Sequence, residues 1–185
     1  MAIRKAGLEA AAVRTTSRGP VLFRQERIGL GGRPFVMLKF RTMRVGADQT
    51  RHQRFVQDLI TGDGPRNERL HKLVDDDRIT AVGRILRRTS IDELPQLLNV
   101  LLGHMRVVGP RPAIQYEVDL YERWQRRRME VKPGMTGLWQ VSGRSRLTYH
   151  EMMRLDVRYV ETSSFRQDVS ILLRTIPALL RREAA

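Results

Sequence analysis

The sequence predicts an α+β domain, mainly helical, with one small β-hairpin and no Rossmann sheet. Three observations lead there. Two β-rich segments flank a single glycine loop, and apolar residues beyond position 78 recur at helical spacing. Gly29, Gly31 and Gly32 make no GxGxxG fingerprint, and no GKS or GKT phosphate loop occurs. At 185 residues the chain is long enough for one cored domain.

Residues 1–18 carry Arg4, Lys5, Arg14 and Arg18 around an alanine-rich stretch. They are too polar for a signal peptide's apolar segment and read as a polar tail before a domain spanning 19–185. Residues 21–27 and 35–43 are the β-rich segments, joined through Gly29-Leu30-Gly31-Gly32-Arg33-Pro34 as a hairpin. Residues 46–77 are polar and end in Asp75-Asp76-Asp77. A solvated loop is the expected reading there, with metal binding by the triplet as the alternative.

Ile79, Val82, Ile85 and Leu86 then form a helical stripe beside Arg84, Arg87 and Arg88. Leu94, Leu97, Leu98, Leu101 and Leu102 mark the apolar face of the next helix. Its start has two registers. Ser90-x-x-Glu93 matches a capping box, but that register puts Pro95 at the fifth helical position, where its ring clashes with an earlier carbonyl. A start at Asp92 puts Pro95 in the first turn, where a missing N–H costs little, and is preferred. Residues 116–128 read as a basic helix, and Pro133-Gly134 opens a loop running to Arg144. Residues 149–161 resume helical character. From 168 to 180 an apolar stripe, interrupted by Pro177, suits either a membrane-interfacial helix or core packing.

The formal charge is +14, with 30 of the 34 basic residues Arg (the lysines are Lys5, Lys39, Lys72 and Lys132). This implies anionic partners, and Arg offers planar, bidentate phosphate contacts that Lys cannot. Absence of cysteine excludes disulfides, thiol catalysis and Cys-based zinc sites. His52, His71, His104 and His150 show no metal-ligand spacing. No run of 18 apolar residues could span a bilayer as a simple helix. The charge and the Arg126-Arg127-Arg128 run raise nucleic-acid binding as a second reading. No helix-turn-helix, zinc-finger or RNA-binding signature supports it, and aromatics are only 6%.

The chemistry concentrates at Asp92-Glu93. Helix capping explains such a pair on its own. A helix start would also keep Asp92 ionised through the dipole, leaving an anionic nucleophile. Two adjacent carboxylates can flank one metal or one phosphate, and magnesium takes one or two carboxylates plus phosphate oxygens and water. Arg87 lies five residues earlier, and Arg111 and Arg144 sit in Gly/Pro-rich loops of the kind that position functional groups. Lys39, taken alone, reads as an outward strand residue.

Six motifs occur in order: Gly-Pro-Val-Leu-Phe-Arg-Gln-Glu-Arg-Ile-Gly (19–29), Lys-Phe-Arg-Thr-Met (39–43), Arg-Ile-Thr-x-x-Gly (78–83), Thr-Ser-Ile-Asp-Glu-Leu-Pro-Gln-Leu-Leu-Asn-Val (89–100), Val-Gly-Pro-Arg-Pro (108–112) and Lys-Pro-Gly-Met-Thr-Gly-Leu-Trp-Gln-Val-Ser-Gly-Arg (132–144). Together they make the chain resemble the bacterial sugar transferases, the monotopic phosphoglycosyl transferases, over residues 17–182. The resemblance implies transfer of a sugar 1-phosphate from a UDP-sugar to polyprenyl (undecaprenyl) phosphate, releasing UMP and starting exopolysaccharide or glycoconjugate synthesis. It implies Asp92 as nucleophile, Glu93 (with Asp92) as holder of Mg²⁺, and Lys39, Arg87, Arg111 and Arg144 as phosphate contacts. It places such a protein at the cytoplasmic face of the bacterial inner membrane, docked at the membrane interface.

Homo-oligomerisation is left open by the residues. Departures from the family pattern are visible. Residues 1–18 stand where the family carries a membrane-embedded hairpin, and the expectation is a chain lacking it, partly soluble as written. That lack also motivates an inactive or truncated relative, a membrane-associated partner, as the alternative. His104 and Arg106 replace the usual acidic and serine residues, and 159–165 lacks the usual tryptophans.

Overall fold

The two β-rich segments pair across the glycine loop as a hairpin. Strand β1 (Leu22–Ile28) pairs antiparallel with β2 (Pro34–Phe40), in register from Leu22↔Phe40 to Ile28↔Pro34. Gly31 and Gly32 turn the chain between them at φ 63 and 77, conformations glycine adopts without a Cβ penalty. The computed structural model describes residues 19–46, 50–61 and 78–180. The tail at 1–18 and the Asp75–Asp77 triplet lie outside the described residues.

Helix α1 (Thr50–Thr61) falls inside the segment expected to be loop. Its apolar residues Phe55, Val56, Leu59 and Ile60 have helical spacing, and Val56 is buried, but polar flanks dilute the pattern. Helix α2 (Ala81–Thr89) is capped by Thr80, whose hydroxyl accepts the Gly83 N–H at 2.9 Å. A Cβ at Gly83 would lie 2.0 Å from the Thr42 carbonyl oxygen, so only glycine lets α2 pass this close to the chain leaving β2.

The helix expected from Asp92 is split. Asp92 and Glu93 occupy a separate 3-10 turn, Ile91–Glu93, and α3 runs over Gln96–Leu101 with Pro95 at its N-cap. Proline's absent N–H suits that position and stops the turn from continuing backward as α-helix. Ser90 makes no side-chain cap bond, so the capping box does not form.

Helix α3 is inverted. It buries Gln96 and Asn99 while its leucines face outward, with Leu101 82% and Leu102 66% exposed. Asn99 explains this. Its Oδ1 accepts the Leu38 N–H at 3.0 Å and its Nδ2 donates to the Val36 carbonyl at 2.7 Å, so the carboxamide pairs with β2 as a strand residue would.

A second sheet, of two parallel strands β3 (Arg106–Val108) and β4 (Gly134–Thr136), has no counterpart in the sequence reading. Three residues per strand are too few to show a period. A Cβ at Gly134 would sit 2.1 Å from the Gly109 nitrogen, so the strands meet through glycine. Between them, the expected basic helix is instead the short α4 (Gln115–Asp119) and a 3-10 segment, Gln125–Glu130.

Arg128 does not extend a basic stripe. It is buried, donating to Asp156 Oδ2 at 2.6 Å, to the Arg111 carbonyl at 2.8 Å and to the Tyr121 hydroxyl at 2.8 Å. Helices α5 (Leu138–Ser142), α6 (Tyr149–Thr162) and α7 (Phe165–Leu180) complete the chain. Arg106 ties α7 to β3 through Asp168 at 3.0 Å, and Tyr159 donates to the same carboxylate at 2.7 Å. Among the described residues no helix is long and apolar enough to cross a membrane.

Burial pushes the Asp156 carboxyl up to about 6, against the opposing pull of Arg128 and Arg111. The folded state therefore holds this proton more tightly than the unfolded chain, whose Asp titrates near 3.9. The contribution of Asp156 to stability accordingly grows as pH falls from about 6 toward about 4. Denaturant unfolding across that window should show this slope in the parent protein and lose it in Asp156→Asn.

Candidate active site

The hairpin and the inverted helix bring the charged motifs together. Lys39 stands near the end of β2 and Glu93 in the 3-10 turn before α3, and Asn99 docks that helix onto the same strand. The Lys39 Nζ donates to Glu93 Oε1 at 2.8 Å. Lys39 is thus an inward-paired residue rather than the outward one expected of it alone. Burial pulls its ammonium below the usual lysine value; Glu93 opposes this, Arg111 adds to it and Asp92 also favours the charged form. Asp92, beside Glu93 in the turn, is buried. It lies in the 3-10 turn ahead of α3 rather than at the start of a helix, where the sequence reading put it.

Arg111 belongs to a gripped loop. Its carbonyl accepts from Arg128, and the next carbonyl, of Pro112, accepts from Arg27 Nη1 at 3.0 Å. Ile28 and Ala113 then form a β-bridge. With the backbone held on both sides, the Arg111 side chain is left exposed at the mouth of a pocket. That pocket is lined by Lys39, Glu93 and Arg111 together with Arg27, Gln96 and Gln140.

The other two expected phosphate contacts lie off this lining. Arg87, in the last turn of α2, donates from Nε to the Thr42 hydroxyl at 3.0 Å. Arg144 has a left-handed backbone (φ 50) and donates to the Ala178 carbonyl of α7 at 2.6 Å. Arg27, Gln96 and Gln140 were not singled out by the sequence. Arg27 does fall inside the first motif, Gln96 in the fourth and Gln140 in the sixth, which was the available signal.

Among the described residues no cluster of three or more His, Cys, Asp or Glu side chains could cage a metal. A magnesium ion shared with a phosphate ligand would need only one or two carboxylates, completing its shell with phosphate oxygens and water. Glu93 supplies hard oxygen at the pocket and Asp92 is next in sequence.

The geometry puts one carboxylate, Glu93, in a pocket lined by three cationic side chains, while Asp92, next in sequence, is buried and does not line it. Comparison with known proteins gives the family. The bacterial sugar transferase family matches residues 5–182, and the chain belongs to it. It is 45% identical to the galactosyl transferase CpsE of Streptococcus agalactiae over 88% of this chain and 35% of that protein. It is 40% identical to the exopolysaccharide production protein ExoY of Sinorhizobium fredii over 90% of this chain and 73% of that protein. A UDP-glucose:undecaprenyl-phosphate glucose-1-phosphate transferase of Caulobacter vibrioides is 45% identical over 96% of this chain and 63% of its own length. The chain thus spans about a third of one relative and about three quarters of another.

Replacing Asn99 by Ala removes two half-buried hydrogen bonds, one to the Val36 carbonyl and one from the Leu38 N–H. Thermal and denaturant unfolding should show a loss of about 1–3 kcal/mol.

Proposed function

We propose that the chain transfers a sugar 1-phosphate from a UDP-sugar to polyprenyl phosphate in two covalent steps. The convergence of Lys39, Glu93 and Arg111 on one pocket, beside the buried Asp92, is the observation that carries this reading. In the first step the Asp92 carboxylate attacks the β-phosphorus of the donor. A P–O bond forms to Asp92 as the P–O bond to UMP breaks, and UMP leaves with the electron pair. In the second step a phosphate oxygen of the lipid attacks the same phosphorus. Asp92 departs as carboxylate, and the product is a lipid diphosphate bearing the sugar.

Splitting one transfer in two is ordinary covalent catalysis, with a carboxylate as nucleophile. The difficulty is charge, since an anion attacks an anion. Lys39 and Arg111 offset it from fixed positions, which is worth more than solvent reorganising at the moment of reaction. Arg87 and Arg144 are assigned to the phosphates by motif position and sit further from the pocket lining. Glu93 and Asp92 would hold a magnesium ion, which supplies Lewis-acid neutralisation of the diphosphate. Pro110 and Pro112 hold Arg111 without the entropy of a flexible segment.

The lipid acceptor implies a membrane surface, at the cytoplasmic face of the inner membrane by family resemblance. The outward leucines of α3 support this. With Leu94, which lies ahead of α3 and one residue after Glu93, they are exposed, so a bilayer meeting Leu94, Leu97, Leu98 and Leu101 would lie against the site. On α7, Phe165, Leu173 and Ile176 are likewise exposed, at 86%, 66% and 61%. Contiguous apolar surface of this kind marks an interaction face.

UMP release from a UDP-sugar in the presence of polyprenyl phosphate and Mg²⁺ tests the reaction. Asp92→Asn should lower it by about 10³-fold or more, and mass spectrometry of the parent with donor alone should find a phosphosugar adduct on Asp92. Turnover by Asp92→Asn at the parent rate would refute the nucleophile. For the membrane face, Leu98→Glu with Leu101→Glu should reduce co-sedimentation with anionic vesicles by about tenfold, leaving the fold unchanged by circular dichroism.

A further inference from the structure

Arg27 is a buried guanidinium, 6% exposed, at the end of β1. Buried charges in proteins are normally paired with an opposite charge, because removing an ion from water is costly. No carboxylate among the described residues hydrogen-bonds Arg27, although Glu117 favours its charge from further off. The Arg27 hydrogen bonds go to neutral oxygens: Nε and Nη2 donate to Gln25 Oε1 at 3.1 and 2.8 Å, and Nη1 to the Pro112 carbonyl at 3.0 Å.

A guanidinium carries five N–H groups, so one on each terminal nitrogen is unused by these bonds. Burial pulls Arg27 down to about 10, and the like charge of Arg111 adds to the effect. Lys39, Arg27 and Arg111 line the same pocket, facing the single carboxylate of Glu93, which Lys39 already occupies. Such crowding of positive charge is unfavourable in the free protein and is relieved by an anion.

We propose that Arg27 is a phosphate-binding residue of this pocket, offering its two remaining N–H groups to phosphate oxygens beside Arg111. The inference rests on the transfer reading above and adds a ligand contact to it. Arg27 also holds the Pro112 carbonyl, so one side chain links the bound phosphate to the loop that carries Arg111. Phosphate oxygens reach the pocket from two sources, the nucleotide donor and the lipid acceptor.

The test uses the full chain and inorganic pyrophosphate, titrated calorimetrically, with Arg27→Met and Arg27→Lys. Arg27→Met should weaken pyrophosphate binding by about tenfold or more, and Arg27→Lys, which keeps the charge but loses the fork, by less. Arg27→Met also strands the buried Pro112 carbonyl, so a lower melting temperature is expected whether or not Arg27 binds phosphate, and the pyrophosphate affinity of the folded variant decides. A purely structural arginine predicts unchanged pyrophosphate affinity in the folded variant, and that outcome overturns the proposal. Should Arg27→Met fail to fold, Arg27→Lys decides, and unaltered pyrophosphate affinity in it overturns the proposal.

Pyrophosphate binding needs no turnover. If the parent releases no UMP, the transfer reading falls while the Arg27 site is still read. If UMP release stands and Arg27→Met binds pyrophosphate as the parent does, Arg27 alone falls. Where turnover is measurable, a rise in KM for the UDP-sugar assigns Arg27 to the donor phosphates and a rise for the lipid assigns it to the acceptor.

Discussion

A single buried carboxamide decides where everything else in the site can be. Asn99 sits in the middle of the most leucine-rich stretch of the chain, where a helix packed conventionally would turn its leucines inward. Instead its Oδ1 and Nδ2 satisfy the Leu38 N–H and Val36 carbonyl of β2. Those two half-buried bonds contribute about 0.5–1.5 kcal/mol each and fix which side of the helix meets the strand. The helix therefore docks polar side down. Glu93 comes within reach of Lys39 on the same strand, and the leucines are left for whatever lies outside.

The second organising device is the pair of buried arginines on either side of the 111–112 peptide. Arg128 is neutralised by Asp156; no described carboxylate hydrogen-bonds Arg27. Both spend hydrogen bonds on backbone carbonyls of one short loop, which makes that loop part of the core although its arginine side chain is exposed. Function and packing meet here. The same contacts that hold the loop also place three cations around one pocket, an arrangement suited to a ligand rich in negative charge. The tail helix is drawn into the same scheme, for Asp168 bonds Arg106 of β3 and Tyr159 of α6, and Thr175 bonds Thr136 of β4 at 2.8 Å. Arg106, a departure from the family pattern, thereby has a structural role.

Several elements were legible from local rules and several were not, for identifiable reasons. The hairpin followed from β-rich segments around glycines, α2 from apolar spacing, and α6 from the helical character that resumes over 149–161. The capping-box register failed at Ser90 because Pro95 forbids it, as read, yet the preferred alternative also failed: proline started a new helix rather than entering the first turn of an existing one. Helix α1 was hidden by its polar flanks, and the parallel β3–β4 pair by brevity. The basic helix over 116–128 broke because Arg128 found a better partner in Asp156, which lies 28 residues away.

The sequence by itself determined the identities that matter chemically: an adjacent carboxylate pair, an excess of arginine, the absence of cysteine, and ordered motifs specific enough to indicate the family. These depend on residue type and short spacing, which a linear chain displays. Tertiary structure alone decided which charges share a pocket. Lys39 and Glu93 are 54 positions apart and Arg27 and Pro112 are 85 apart, so no local pattern could pair them. It also decided which way the leucines face. An apolar stripe has the same periodicity whether it meets a core or a membrane, and the choice was made by one asparagine's hydrogen bonds.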